Sequence, residues 1–224
     1  MPGAARVVVR GGGVSTGVET ALRPDPPDWR FGPVALWLRA HPPRTPGEAQ
    51  ARRLLAAELA TPETDLPLLR DARGRPWLHA PLAHVGTGWS HSGDYLLVGI
   101  GAHARLGVDI ERQRARPRLL EVAQRFFHPD EVAMLRALAE PARQALFFRL
   151  WCAKEALLKA HGHGLSFGLH RLRFAEDATG TLHLAWCDPE LGTAARWRVH
   201  EWVPAPGYRA ALAWYPLEPG QPTH

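Results

Sequence analysis

The chain has 224 residues, 46% of them hydrophobic, enough for one large domain or two small ones with a substantial core. No run approaches the roughly 18 uninterrupted apolar residues of a membrane helix, and Val7-Val8-Val9 between Arg6 and Arg10 is too short for a signal-peptide core, so a soluble cytoplasmic protein is expected. The net charge of +5 points to an anionic partner without choosing its kind, and the two cysteines, outside any Cys-x-x-Cys pair, exclude a disulfide scaffold or a zinc-spaced cluster.

Residues 1–30, with Gly11-Gly12-Gly13 and Pro24-Asp25-Pro26-Pro27, read as a poorly packed leader rich in Gly, Pro and Arg. The fold is expected to start near Pro33, with a strand at 34–38 and then a helix over 46–59 that sets leucines and alanines on one side and Arg52 and Arg53 beside them. Asp71-Ala72-Arg73-Gly74-Arg75-Pro76 spells a turn, and 85–111 reads as an antiparallel meander broken at Ser92-Gly93-Asp94 and Ala102-His103-Ala104. Helices follow over 117–127, from Pro129 with Asp130 and Glu131 complementing the dipole, and over 142–160, stopped by Gly162 and Gly164. Strands at 181–186, 196–203 and 208–215 close the chain. Strand, helix and strands thus occur twice, which predicts an α+β protein of two similar halves, 31–103 and 104–224.

The long helix contains the strongest anomaly. At 100° per residue, Leu146, Phe147, Leu150, Trp151, Leu157 and Leu158 form one apolar stripe with Lys154 close to its centre, where an unpaired ammonium is costly. Lys154 and Lys159 are the chain's only lysines; every other one of its 27 fixed cations is arginine. A compact ammonium approaches a phosphate as a point charge in a way a guanidinium does not. A Glu155–Lys159 pair on a solvated face, with Lys154 snorkelling outward, is the competing reading.

Gly107-Val108-Asp109-Ile110-Glu111 puts Asp109 and Glu111 on one strand face and Val108 and Ile110 on the other. Two adjacent carboxylates repel unless a cation lies between them, and with a third acid such as Glu155 they compose a magnesium-diphosphate site; a solvated edge strand is the plainer alternative. In Trp89-Ser90-His91-Ser92-Gly93, a serine and a histidine at the mouth of a turn are suited to phosphate oxygens. A nucleophile elbow fits poorly, because Gly88-x-Ser90-x-Ser92 lacks the second glycine and a strand follows instead of a helix.

Together, Trp89-Ser90-His91-Ser92-Gly93, Gly107-Val108-Asp109-Ile110-Glu111 and Trp151-Cys152-Ala153-Lys154-Glu155-Ala156, running on to Lys159, Gly162, Gly164 and Leu165, resemble the 4′-phosphopantetheinyl transferase superfamily, in its larger monomeric type that activates peptide and polyketide synthetases. The resemblance covers roughly 33–215 and implies a pseudo-dimer of α+β halves, each a small antiparallel sheet packed on helices, with coenzyme A in the cleft between them. It implies transfer of the phosphopantetheine arm to a serine of an acyl or peptidyl carrier protein, with magnesium, in a monomer that needs neither nucleic acid nor membrane. Asp109, Glu111 and Glu155 match the family's metal ligands; Ser90, His91 and Lys159 match its phosphate contacts; Arg75 matches a basic position near the adenine and 3′-phosphate, and Arg52 resembles another; and Lys154 is expected to hold the carboxylates in place while lying partly under the cofactor. Glu155, Lys159 and His91 are the expected catalytic groups, Glu155 also as a base acting directly or through a water. Arg112, Arg114 and Arg116, with Leu119, Leu120 and Phe126, are the candidate surface for an acidic carrier domain, the same apolar residues fitting a core equally well.

Two rivals come from other classes. A serine hydrolase built on Ser90, His91 and Asp94 is disfavoured because adjacent Ser and His cannot readily act on one another. A nucleic-acid-binding module is suggested only by the pI near 9.9, with arginines scattered and no recognised motif.

Overall fold

The computed structural model describes residues 26–218, 220, 221 and 223. Most of the expected leader lies outside the described residues. Its last residues, however, belong to the fold: Trp29–Phe31 forms β1, so the first strand precedes Pro33. β1 pairs with β2 (Val34–Ala40), which is followed by α1 (Glu48–Glu58) and by a small hairpin of β3 (Leu68–Arg70) and β4 (Pro76–Leu78) around the expected turn. β5 (Val85–Ser92) and β6 (Tyr95–Ala102) complete a sheet of order β1-β2-β6-β5.

The expected meander ends at β6. β7 (Ala104–Arg112) leaves that sheet and pairs instead with β11 (Tyr208–Pro216), itself paired with β10 (Arg198–Trp202), giving a second antiparallel sheet of order β10-β11-β7. Between β7 and this sheet's other strands lie α2 (Leu119–Phe126), α3 (Pro129–Ala137), α4 (Ala142–His161) and a hairpin of β8 (Leu172–Glu176) and β9 (Leu182–Cys187), of which β8 carries no strong period in the sequence. The protein is therefore α+β, with several small antiparallel sheets and helices.

The layers follow from the period of two along each strand. Ala35, Trp37 and Ile100 pack toward Leu55 of α1, while Val34, Leu36 and Leu97 face the other way, onto Leu106, Val108, Ile110 and Leu212 of the second sheet. The opposite face of β7 lies on α4, with Ala211 and Ala213 in the same core as Leu150, Ala153 and Leu157. The order is helix, sheet, sheet, helix. Gly107 makes the last contact as close as it is: a Cβ there would meet Ala156 O and Ala160 N at 2.3 Å each. α4 ends at Gly162, whose φ of 91° is the left-handed cap that a side chain would strain.

Candidate functional site

Because even-numbered residues of β7 fill the sheet–sheet core, Arg105, Asp109 and Glu111 all face α4. Glu155 and Lys159, one turn apart on α4, meet them there, and β5 runs past the other side. Lys159 Nζ donates to Asp109 Oδ1 at 2.6 Å and to Ser90 Oγ at 3.0 Å; Ser90 Oγ donates to Asp109 Oδ1 at 3.0 Å. Ser92 Oγ donates to Glu111 Oε2 at 2.9 Å and accepts from the Arg112 backbone N–H at 3.1 Å. The structure thus brings Ser90, Asp109, Glu111, Glu155 and Lys159 together from three separate stretches of chain.

The electrostatics are those of crowded acids around too little positive charge. Burial, then the Asp109 and Glu111 charges, raise the Glu155 carboxyl to about 7 against the pull of Lys159. Burial and Asp109 also raise Glu111. Burial works against the Lys159 ammonium, but Asp109 and Glu155 more than offset it and its pKa stands above the usual value. Asp109 is 3% exposed and Glu155 7%, and their buried Oδ2 and Oε1 have no hydrogen-bond partner. Among the described residues no three acidic, His or Cys side chains already form a metal cage. The donor chemistry nevertheless fits a hard, oxygen-preferring cation, since the orphaned atoms are carboxylate oxygens and the acids repel one another.

Lys159 also lines a cleft of about 210 Å³, with Arg70, Arg73, Arg75, Trp89 and Gly107. Arg75 donates to Thr223 O at 2.7 Å, and burial with the nearby Arg105 charge lowers it to about 10. Arg70 is partly neutralised by Glu48 at 2.6 Å, and Arg73 Nη1 reaches His163 Nδ1 at 2.7 Å. The sequence reading singled out Arg75 and passed over Arg70 and Arg73, though all three flank one turn. That local density of arginine was the available signal.

His91 is exposed on β5, its ring 5.1 Å from that of buried His41; burial, His41 and Lys159 lower its pKa. Ser90 bonds Asp109 and Lys159, and Asp94 is engaged by Tyr208 at 3.3 Å and Arg112 at 3.4 Å, so no serine triad assembles among these residues.

Three expectations are corrected. Lys154 is fully buried and away from the cleft: its ammonium meets Glu131 Oε2 at 2.7 Å, Leu169 O at 2.8 Å and Leu172 O at 2.6 Å, which uses all three donors and leaves none for a cofactor. Arg52 turns back to Glu63 O and Leu66 O at 3.3 Å each, in the loop after its own helix, instead of lining the cleft. Leu119, a candidate for the docking surface or the core, is core at 4% exposed, whereas Phe126 is 38% exposed. Glu131 is the partner that sequence reasoning missed. Its signal is the capping box at the start of α3, where the His128 side chain accepts from Asp130 N and Glu131 Oε2 accepts from His128 N at 3.0 Å.

A family model described as the 4′-phosphopantetheinyl transferase superfamily matches residues 105–213. A putative 4′-phosphopantetheinyl transferase of Synechocystis is 35% identical over 153 residues, 66% of this chain and 59% of its own. The 4′-phosphopantetheinyl transferase HetI of Nostoc is 33% identical over 171 residues, 75% of this chain and 69% of its own, and psf-1 of Bacillus pumilus is 36% identical over 141 residues, 62% and 58%. The chain therefore spans 58% to 69% of the length of these relatives. With Asp109, Glu111, Glu155 and Lys159 all inside the segment matched by the family model, and with HetI matched along most of both chains, the chain belongs to the 4′-phosphopantetheinyl transferase superfamily.

Proposed function

We propose that this chain transfers the 4′-phosphopantetheine arm of coenzyme A to a serine hydroxyl of an acyl or peptidyl carrier protein and releases adenosine 3′,5′-bisphosphate. The observation that carries this reading is the double position of Lys159: it lines the basic cleft and at the same time binds Asp109, so a site for phosphates adjoins a cluster of carboxylates. Phosphoryl transfer asks mainly for positioning and charge neutralisation. Arg73, Arg75 and Lys159 are the cations that orient and neutralise the cofactor phosphates, with Ser90 and His91 alongside. Lys159 stabilises charge developing on the leaving diphosphate oxygen. Asp109, Glu111 and Glu155 are the residues that would hold magnesium, which when bound supplies charge neutralisation on the diphosphate.

Glu155 is also the candidate acceptor of the serine proton, directly or through a water, but a dication on its carboxylate would lower the pKa from its metal-free value of about 7 and weaken it as a base, so its first role is to hold the metal. The helix, sheet, sheet, helix order supports a pseudo-dimer of two halves divided near residue 104, the first starting with β1 at Trp29 instead of at 31, with the cleft between them, sufficient as a monomer. Among the described residues no helix is long and apolar enough to cross a membrane, and we place the protein in the cytoplasm. Exposed Arg112 and Arg114, beside Arg116 and Phe126, form the proposed surface for an acidic carrier domain.

The test is a mass-spectrometric loading assay with coenzyme A, with and without magnesium, against several apo carrier proteins. Wild type is expected to add the arm to at least one of them, and Glu155→Gln, folded by circular dichroism, is expected to lose about 100-fold or more in rate. Loading by the variant at the wild-type rate, or full turnover in chelator, overturns the site.

A further inference from the structure

Arg105 is an unusual cation. It lies half-buried on β7, makes no ion pair among the described residues, and its buried Nε has no hydrogen-bond partner. Beside it is His161, the last residue of α4, whose buried Nδ1 is also without a partner. The two share an open pocket of about 220 Å³ lined also by Pro189, Gly192, Trp197 and Tyr215. Glu190, the one acid among the described residues lining the pocket, has its carboxylate on Arg171 at 3.1 Å. Arg75 stands close enough for its charge to be felt by both, and its Nε is a third buried nitrogen without a partner.

We propose that Arg105 and His161, backed by Arg75, form a binding site for a phosphate-class anion in this pocket. A half-buried Arg105 with no counter-charge among the described residues is costly, and the unpartnered Arg105 Nε and His161 Nδ1 beside one pocket call for an anion that those residues do not supply. The charges register that absence. Burial and the Arg105 charge hold Arg75 down against the pull of Asp71, and burial with His163, Arg105 and Arg75 lowers His161 to about 4 against a backbone bond to Glu190. An anion between them reverses each repulsion, gives the Arg105 Nε–H an acceptor, and lets His161 Nδ1 become a second donor once protonated. Trp197 and Tyr215, in edge contact with their ring centroids 5.2 Å apart, wall the pocket. The same chemistry fits free inorganic phosphate or the phosphate monoester of a nucleotide ligand reaching over from the neighbouring cleft.

The probe is inorganic phosphate, compared with chloride at equal ionic strength, read by isothermal titration and by the melting temperature of the full chain. Phosphate is expected to bind saturably to wild type and about tenfold or more weakly to Arg105→Met, which keeps the aliphatic stem. No saturable binding to wild type, or equal binding to wild type and R105M, overturns the proposal; the wild-type arm decides even if the variant does not fold. This arm is independent of the transferase reading. Repeating the titration with coenzyme A or dephospho-coenzyme A present separates the sources. Blockage by coenzyme A alone assigns the anion to the cofactor's 3′-phosphate, and binding unaffected by either assigns it to the free ion.

Discussion

His161 shows how one side chain can carry both a pH dependence and a binding function. Its folded pKa of about 4 lies below the ordinary 6.5, so between those values the unfolded chain takes up a proton that the folded chain refuses. Stability in phosphate-free buffer should therefore fall as pH drops from about 6.5 toward 4, and His161→Gln should flatten that part of the profile. Denaturant titrations at half-unit pH steps will show it; an unchanged slope in the variant would mean that the ring titrates normally. Lys154 illustrates the opposite outcome, an expected functional charge that is structural. Its position in the middle of an apolar stripe was legible from helical period alone, whereas its partner Glu131, 23 positions upstream on α3, was not, because a period describes one helix and says nothing of what packs on it.

Along the elements, the Lys154–Glu131 pair ties the start of α3, the centre of α4 and the entry to β8 into one buried network, with Glu131 Oε1 also accepting from Phe174 N at 2.8 Å. Lys154→Met should cost about 3–5 kcal/mol by leaving a carboxylate unpaired in the core, and adding Glu131→Gln should recover much of it. Equilibrium unfolding of the single and double variants tests this, and a neutral single variant would show that the pair is dispensable. Gly107→Ala belongs to the same scale. The added Cβ forces β7 off α4, so a loss of about 1–3 kcal/mol should come with lower loading activity, since Asp109 moves away from Lys159. Loading rate and melting temperature measured side by side will show whether the two fall together.

The strands and helices themselves were largely readable, because hydrophobic period, Gly162 and the turn residues are local signals. Their assembly was not. An alternating run from 85 to 111 fits one meander as well as two sheets, and only the pairing of β7 with β11, a partner about a hundred residues later, decides between them. Among site residues, those in compact motifs were found and brought together, while Arg70 and Arg73 were missed because a turn rich in arginine looks like any solvated loop until the cleft beside it is known.

For the whole molecule, the charge is unevenly used. Arg112 is partly matched by Asp94, and Arg116 lies over the rings of Phe147 and Trp151 at 5.5 and 5.3 Å, which leaves exposed Arg114 as the freer cation of the proposed docking face. Arg114→Glu should raise KM for an acidic carrier about two- to fivefold with little change in kcat, and the difference should shrink at high salt. Steady-state loading at two ionic strengths measures it; a salt-independent defect, or none, would move the docking face elsewhere.

β7 is built so that its two sides serve different masters: Val108 and Ile110 cement the sheets together, and Asp109 and Glu111 look at the helix. Loss or gain of a single residue in this strand would exchange the two sets, driving acids into an oily seam and exposing aliphatics to a phosphate site. Evolution can therefore retune this strand by swapping letters but hardly by changing its length, and length variation among relatives is expected in the loops on either side.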